Sequence, residues 1–93
     1  MYYVYIIRSV PSGRLYKGFC SDLVRRLAEH NAGKTFSTKP FVPWELVYSE
    51  EIESYREAKA REKYFKTAAG RRFIKTQMKI QVPRPYDRAL NTK

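Results

Sequence analysis

The chain opens with an unbroken apolar run, Tyr2-Tyr3-Val4-Tyr5-Ile6-Ile7, rich in aromatic and β-branched side chains. Such a run predicts a strand near residues 2–8, and its continuous apolarity predicts a central strand covered on both faces. Pro11-Ser12-Gly13 is turn chemistry, and Leu15 to Phe19 supplies a second strand near 15–20, so the two read as a hairpin. Side-chain alternation puts Tyr3, Tyr5 and Ile7 on one face of the first strand. It puts Tyr16 and Gly18 on one face of the second and turns Lys17 the other way. Leu23, Leu27 and His30 then recur at helical spacing, with Ser21 or Asp22 as cap and Gly33 as stop, predicting a helix near 22–32. Residues 34–43 are polar, hold Pro40 and Pro43, and read as a loop. Trp44, Leu46 and Tyr48 alternate with Glu45 and Val47, which predicts a third strand near 44–49. Ser54-Tyr55-Arg56-Glu57 is a capping box opening a helix near 54–67, with Tyr55, Ala58 and Phe65 on one face. Ala68-Ala69-Gly70 interrupts the pattern, and a last helix near 70–79 carries Phe73 and Ile74.

The order β-β-α-β-α-α predicts an α+β domain: a small three-stranded antiparallel sheet flanked by helices. It is expected to occupy residues 1–80. The stretch 81–93, with Pro83 and Pro85 among mostly polar residues, is expected to be a loosely ordered tail.

Composition narrows the class. The single cysteine, Cys20, excludes an internal disulfide framework and a Cys-based zinc cluster, and a small domain without disulfides suits a reducing compartment. The longest apolar run is far too short to span a bilayer, so a cytoplasmic chain with no membrane partner is expected. The 93 residues carry a net charge of +10, unevenly spread: +3 over 1–33, −2 over 34–53 and +9 over 54–93. A basic half beside an acidic segment points to a polyanion, with nucleic acid as the expected partner.

Two features break the core pattern. Glu62 lies on the apolar stripe of its helix, four residues after Ala58 and three before Phe65. A buried carboxylate needs a cation, either a metal or an arginine. Arg26 and His30 share one side of the first helix and could face the same pocket. Each residue also has an ordinary reading: Glu62 reaching out beside Lys66, His30 as a satisfied half-buried ring, Arg26 as a solvated charge, and Tyr5 and Tyr16 as strand packing.

Together they resemble something known. Tyr3-Val4-Tyr5 followed by Tyr16-Lys17-Gly18 resembles the paired signature of the GIY-YIG nuclease family. In that family two short strands each carry a tyrosine, an arginine follows ten residues after the second, and many members have a histidine one turn later. Tyr5, Tyr16, Arg26 and His30 match those positions, and Glu62-Lys63-Tyr64-Phe65-Lys66 matches the segment of the metal-binding glutamate. The spacing of His30-Asn31, Gly33, Ser37-Thr38, Pro43-Trp44 and Arg61-Glu62 is similar to small stand-alone bacterial members. These are related to the nuclease domain of an excision-repair endonuclease subunit, which links the family to DNA repair. The chain departs from the family in its Tyr-Val-Tyr first motif, in Lys17 at the usual apolar centre of the second, and in Phe19 after Gly18.

The resemblance implies a metal-dependent endonuclease that hydrolyses phosphodiester bonds, in DNA rather than RNA. Tyr5, Tyr16, Arg26, His30 and Glu62 are the implied catalytic residues. Glu62 would hold Mg²⁺ or Mn²⁺, Arg26 would grip a phosphate oxygen, and Tyr16 would accept the proton of water, with Tyr5 and His30 in support. Lys17, Arg25 and Lys66 are the expected substrate contacts, and no small-molecule cofactor is expected. Gly33-Lys34-Thr35 does not make a phosphate loop, because position 28 is Ala and the segment follows a helix. Two other readings stay open: a nucleic-acid-binding domain that does not cut, and a protein-interaction module with a relic site.

Overall fold

The structure, a computed structural model, describes residues 1–81, with side chains through Gln77. Strands β1 (Tyr2–Ser9), β2 (Leu15–Cys20) and β3 (Trp44–Ile52) form one sheet in the order β2-β1-β3, with both pairings antiparallel. The helices are α1 (Leu23–Asn31), α2 (Tyr55–Phe65) and α3 (Ala68–Gln81), and a 3₁₀ turn at Lys39–Phe41 lies within the loop before β3. The α+β order expected from the pattern is the observed one. The expected tail lies, from Val82 onward, outside the described residues.

β1 is the central strand because every side chain from Val4 to Ile7 is buried, which requires cover on both faces. On one face Tyr5, Ile7, Cys20 and Trp44 pack beneath Leu23 and Leu27 of α1. On the other, Val4, Ile6 and Val47 pack against Ala58, Phe65 and Ile74 of α2 and α3. Ile6 and Ile7 are fully buried on opposite faces, and each stabilises the fold by about 1.5–3 kcal/mol. Asp22, not Ser21, caps α1 by accepting from the Arg25 amide at 3.1 Å, and Ser54 caps α2 by accepting from the Glu57 amide at 3.1 Å.

Two details of the pattern are corrected. Alternation put Trp44, Leu46 and Tyr48 on one face, but a bulge intervenes: Ile6 pairs with Tyr48 and Ile7 with Leu46, leaving Val47 as the extra residue. Trp44 therefore joins the α1 layer, Val47 is buried on the α2/α3 side with Tyr48 packed there too, and Leu46 is exposed. The break before the last helix falls at Thr67, not at Ala68-Ala69-Gly70. The Thr67 hydroxyl accepts from the Gly70 amide at 3.1 Å and donates to the Tyr64 carbonyl at 2.6 Å. Gly70 lies inside α3 because the helix passes close over the end of α2: a Cβ there would sit 2.1 Å from the Tyr64 carbonyl oxygen.

A polar cluster closes the α2/α3 face. Arg61 forks onto Glu50 through Nε and Nη2, both at 2.9 Å, and the Tyr48 hydroxyl donates to the same carboxylate. The guanidinium lies 4.7 Å from the centre of the Phe65 ring and 4.9 Å from that of Tyr64. The Arg61 hydrogen bonds hold the Glu50 carboxyl below its usual range, and burial with the Glu50 contact pushes the Tyr48 phenol up to about 12.

Candidate active site

Tyr5 and Gly18 are partners across the β1–β2 ladder, and the Tyr5 ring lies directly over Gly18. A Cβ at position 18 would be 2.6 Å from the Tyr5 hydroxyl oxygen and 2.8 Å from Cζ. The glycine of the second tyrosine motif is thus required by the tyrosine of the first, through a close approach rather than a special backbone angle. Two residues before it, Tyr16 points to the same face, and its ring centre is 6.4 Å from that of Tyr5.

His30, at the C-terminal end of α1, is fully buried against both tyrosines. Its ring centre is 5.1 Å from that of Tyr16 and 5.8 Å from that of Tyr5. Nε2 lies 2.9 Å from the Tyr5 hydroxyl, and Nδ1 lies 2.8 Å from Thr38 Oγ1. The Thr38 hydroxyl donates to the Thr35 carbonyl at 3.3 Å, so it accepts from His30 Nδ1–H. That leaves Nε2 bare to accept from the Tyr5 O–H. The electrostatics agree. Burial, the neighbouring Tyr16 and the Glu62 carboxylate raise the Tyr5 pKa against the opposing pull of Arg26, so the phenol keeps its proton. Burial and the Arg26 charge lower the His30 pKa against the pull of Glu29, so the imidazole is neutral.

The loop before β3 is built to hold this chain. Asn31 pairs with the backbone of Trp44, accepting from its amide at 2.6 Å and donating to its carbonyl at 3.1 Å. The Trp44 indole N–H donates to the Thr38 carbonyl at 2.9 Å, which fixes the threonine under His30. Thr38 lay in the matching spacing of the sequence, but its part in the network was missed. A buried histidine needs a partner on each ring nitrogen, and that need was the available signal.

Arg26 and Glu62 approach from different layers. Arg26 stands on α1, partly exposed, with Nε 3.7 Å from Glu29 Oε1. Glu62 stands on α2, its side chain 18% exposed, with Oε2 2.6 Å from Lys66 Nζ. Both charges act on the Tyr5 phenol in opposite directions, Arg26 lowering its pKa and Glu62 raising it. Of the expected substrate contacts, Lys66 lies beside Glu62. Arg25 is largely exposed and pairs with Glu29 at 3.3 Å. Lys17 faces away from Tyr16, toward Lys66 and Arg71, whose charges add to burial in lowering its pKa.

The donor set fits a hard divalent cation. Among the described residues no three His, Cys, Asp or Glu side chains form a cluster, so a tetrahedral zinc centre has no ligands. A single carboxylate completed by water and phosphate oxygens is the way Mg²⁺ is commonly held. Glu62 is such a carboxylate, with Oε1 left over from the Lys66 pair. Among the described residues, no helix is long and apolar enough to cross a membrane.

The chain is similar to several known proteins. The model of the GIY-YIG catalytic domain matches residues 1–76. A UPF0213 protein of Streptococcus agalactiae is 40% identical over 65 residues, covering 69% of this chain and 73% of that one. One from Staphylococcus haemolyticus is 39% identical over 75 residues, covering 80% and 90%. The solution structure of a UPF0213 protein from Bacillus halodurans superposes with a TM-score of 0.50 at 31% identity, covering 94% of this chain and 92% of that one.

Proposed function

Because the chain belongs to the GIY-YIG catalytic-domain family, we propose that it is a divalent-metal-dependent endonuclease that hydrolyses phosphodiester bonds in DNA. One observation carries the proposal: the Tyr5–His30–Thr38 hydrogen-bond chain with the Tyr16 ring packed on His30, in the electrostatic reach of Arg26 and Glu62. Water attacks the phosphorus, the P–O3′ bond breaks, and charge builds on the phosphate oxygens. Arg26 holds one of those oxygens, a task suited to a guanidinium fork. Glu62 would hold the cation, and Mg²⁺ or Mn²⁺ bound there would supply Lewis acidity for phosphodiester hydrolysis. The Tyr16 hydroxyl oxygen would accept the proton of the attacking water as its own O–H proton passes to solvent, and the departing O3′ would take up a proton from water. Tyr5 is less suited to that task, since its proton is engaged on His30 and its pKa is raised; it and His30 hold one another in place behind the Tyr16 ring. Lys66 and Arg25 lie where they can meet flanking phosphates.

The test is plasmid and branched-DNA cleavage by wild type and Glu62→Gln, with Mg²⁺ or with EDTA. Glu62→Gln keeps the shape and loses the anionic ligand. It should cut at least 10³-fold more slowly, about 4 kcal/mol of transition-state stabilisation, with an unchanged melting temperature. Tyr16→Phe should slow cleavage more than Tyr5→Phe. A Gln variant that cuts as fast as wild type, or cleavage that survives EDTA, would overturn the metal mechanism. Salt-dependent binding with no cleavage of any substrate would favour the non-cutting binding domain.

A further inference from the structure

A groove of about 460 Å³ opens between the β1–β2 hairpin and α3. It lies on the face of the sheet opposite Tyr5 and His30, since Ile74 in its wall belongs to the Val4–Ile6 layer and Lys17 pairs with Ile6. Five of its lining side chains are cationic, Arg8 and Lys17 from the hairpin and Arg71, Arg72 and Lys75 from α3, and none is acidic. Leu15 and Ile74 add an apolar floor. Arg71 and Lys75 are one helical turn apart, a like-charge spacing that destabilises a helix. Lys17 sits in the field of Arg71 and Lys66, and its lowered pKa reflects burial together with that crowding. Lys17, Arg71 and Lys75, gathered at a cost to the fold, form a site for an anionic ligand.

The location says which one. β2 is an edge strand, with Tyr16 on one face and Lys17 on the other. Lys66, at the end of α2, joins the groove to Glu62, paired to that carboxylate and acting on Lys17. A chain of phosphates crossing the free edge of β2 would meet Tyr16 first and the groove next.

We propose that this groove holds the nucleic-acid backbone flanking the scissile phosphate, with phosphates on Lys17, Arg71 and Lys75 and a sugar on the Leu15–Ile74 floor. The proposal rests on the nuclease reading only for the identity of the polyanion. The same charges could dock an acidic protein, but Lys66, which pairs with Glu62 and acts on Lys17, sets the groove beside the proposed metal ligand and favours the substrate strand.

The test separates the two. A labelled 20-base-pair duplex is titrated without divalent metal against Glu62→Gln, which cannot cut, at several salt concentrations. Arg71→Gln with Lys75→Gln is then added in that background. A control removes equal charge from the far side of α2, Arg56→Gln with Lys59→Gln. Loss of two phosphate contacts should lower the log–log salt slope by about 1.8 and weaken binding about tenfold or more, with the control moving much less. Arg71→Lys with Lys75→Arg should retain binding. In the Glu62 protein, the groove pair should raise KM and leave kcat in place. Unchanged slope and affinity, a control that does as much damage, or no duplex binding at low salt would overturn the groove. If wild type never cuts yet the groove pair lowers the slope, the groove stands and the nuclease reading falls. If wild type cuts and the groove pair changes neither slope nor KM, the reverse holds.

Discussion

On the α2/α3 face, Arg61 and Glu50 meet in a fork, Tyr48 fills a remaining lone pair of the carboxylate, and aromatic rings cover the guanidinium. On the α1 face, Tyr5, His30 and Thr38 form a line of single hydrogen bonds between neutral groups, ending at a phenol beside Tyr16 and in the field of Arg26 and Glu62. Both networks bury polar atoms, and both include a tyrosine with a raised pKa. They differ in closure. The first saturates a full charge with an opposite one, which suits joining β3 to α2. Among the described residues, the second pairs its two opposite charges, Arg26 and Glu62, with exposed or half-exposed neighbours at three- and four-residue spacing. Such charges are available to a phosphate and a cation at little cost, because surface pairs are worth roughly 0–1 kcal/mol.

Exchanging one arginine on each side is the strongest way to break this contrast. Arg26→Ala should lose about 2–4 kcal/mol of transition-state stabilisation, on the order of 10²–10³ in kcat/KM, with little change in melting temperature. Arg61→Leu should do the opposite. Leaving Glu50 and Tyr48 without their cation should cost about 1–3 kcal/mol of stability by urea unfolding, while the folded fraction keeps its kcat. Equal loss of activity in both variants would mean that the two networks are not separable.

Gly18→Ala comes next. The added methyl collides with the Tyr5 ring, and overpacking of this kind costs about 1–3 kcal/mol. Because the displaced group is the phenol bonded to His30, cleavage should slow beyond what stability explains. A variant that is destabilised but cuts normally would make the Tyr5–His30 bond purely structural.

The smallest effect is a pH dependence that sharpens the assignment of protons. His30 is the single histidine, so its ring signals in a carbon–proton correlation spectrum are unambiguous. Burial first and Arg26 second depress its folded pKa below the usual 6.5 or so. The unfolded chain then binds its proton at a higher pH than the folded one. The stability from neutral His30 is therefore fully present above about pH 6.5 and lost as pH falls through the folded pKa. The titration midpoint should lie below 6.5, with melting temperature falling from pH 7 to pH 5; a midpoint at or above 6.5 would mean that Nε2 is not the acceptor.

Much of this was legible in the chain. The apolar run at β1 forecast a central strand because only a strand covered on both faces can afford it. The caps at Asp22 and Ser54 and the out-of-place Glu62 were equally readable, since each is a local rule or a local violation. Pairwise events were not readable. The bulge at Val47 depends on β1, and Gly70 sits inside a helix because of where α2 ends. The Arg61–Glu50 fork joins residues on separate elements, and in the sequence it looks like two ordinary surface charges.

Trp44 deserves a last thought as the only indole in the chain. Its N–H is tied to the carbonyl of the threonine beneath His30, and its ring centre is 6.4 Å from that of Tyr16. The protein therefore carries a built-in fluorophore wired to one side of the sheet. A metal or phosphate settling near Tyr16 perturbs that emission, whereas a ligand confined to the groove on the other face leaves it dark to the event, so occupancy of the two sides can be told apart in a cuvette, without a label.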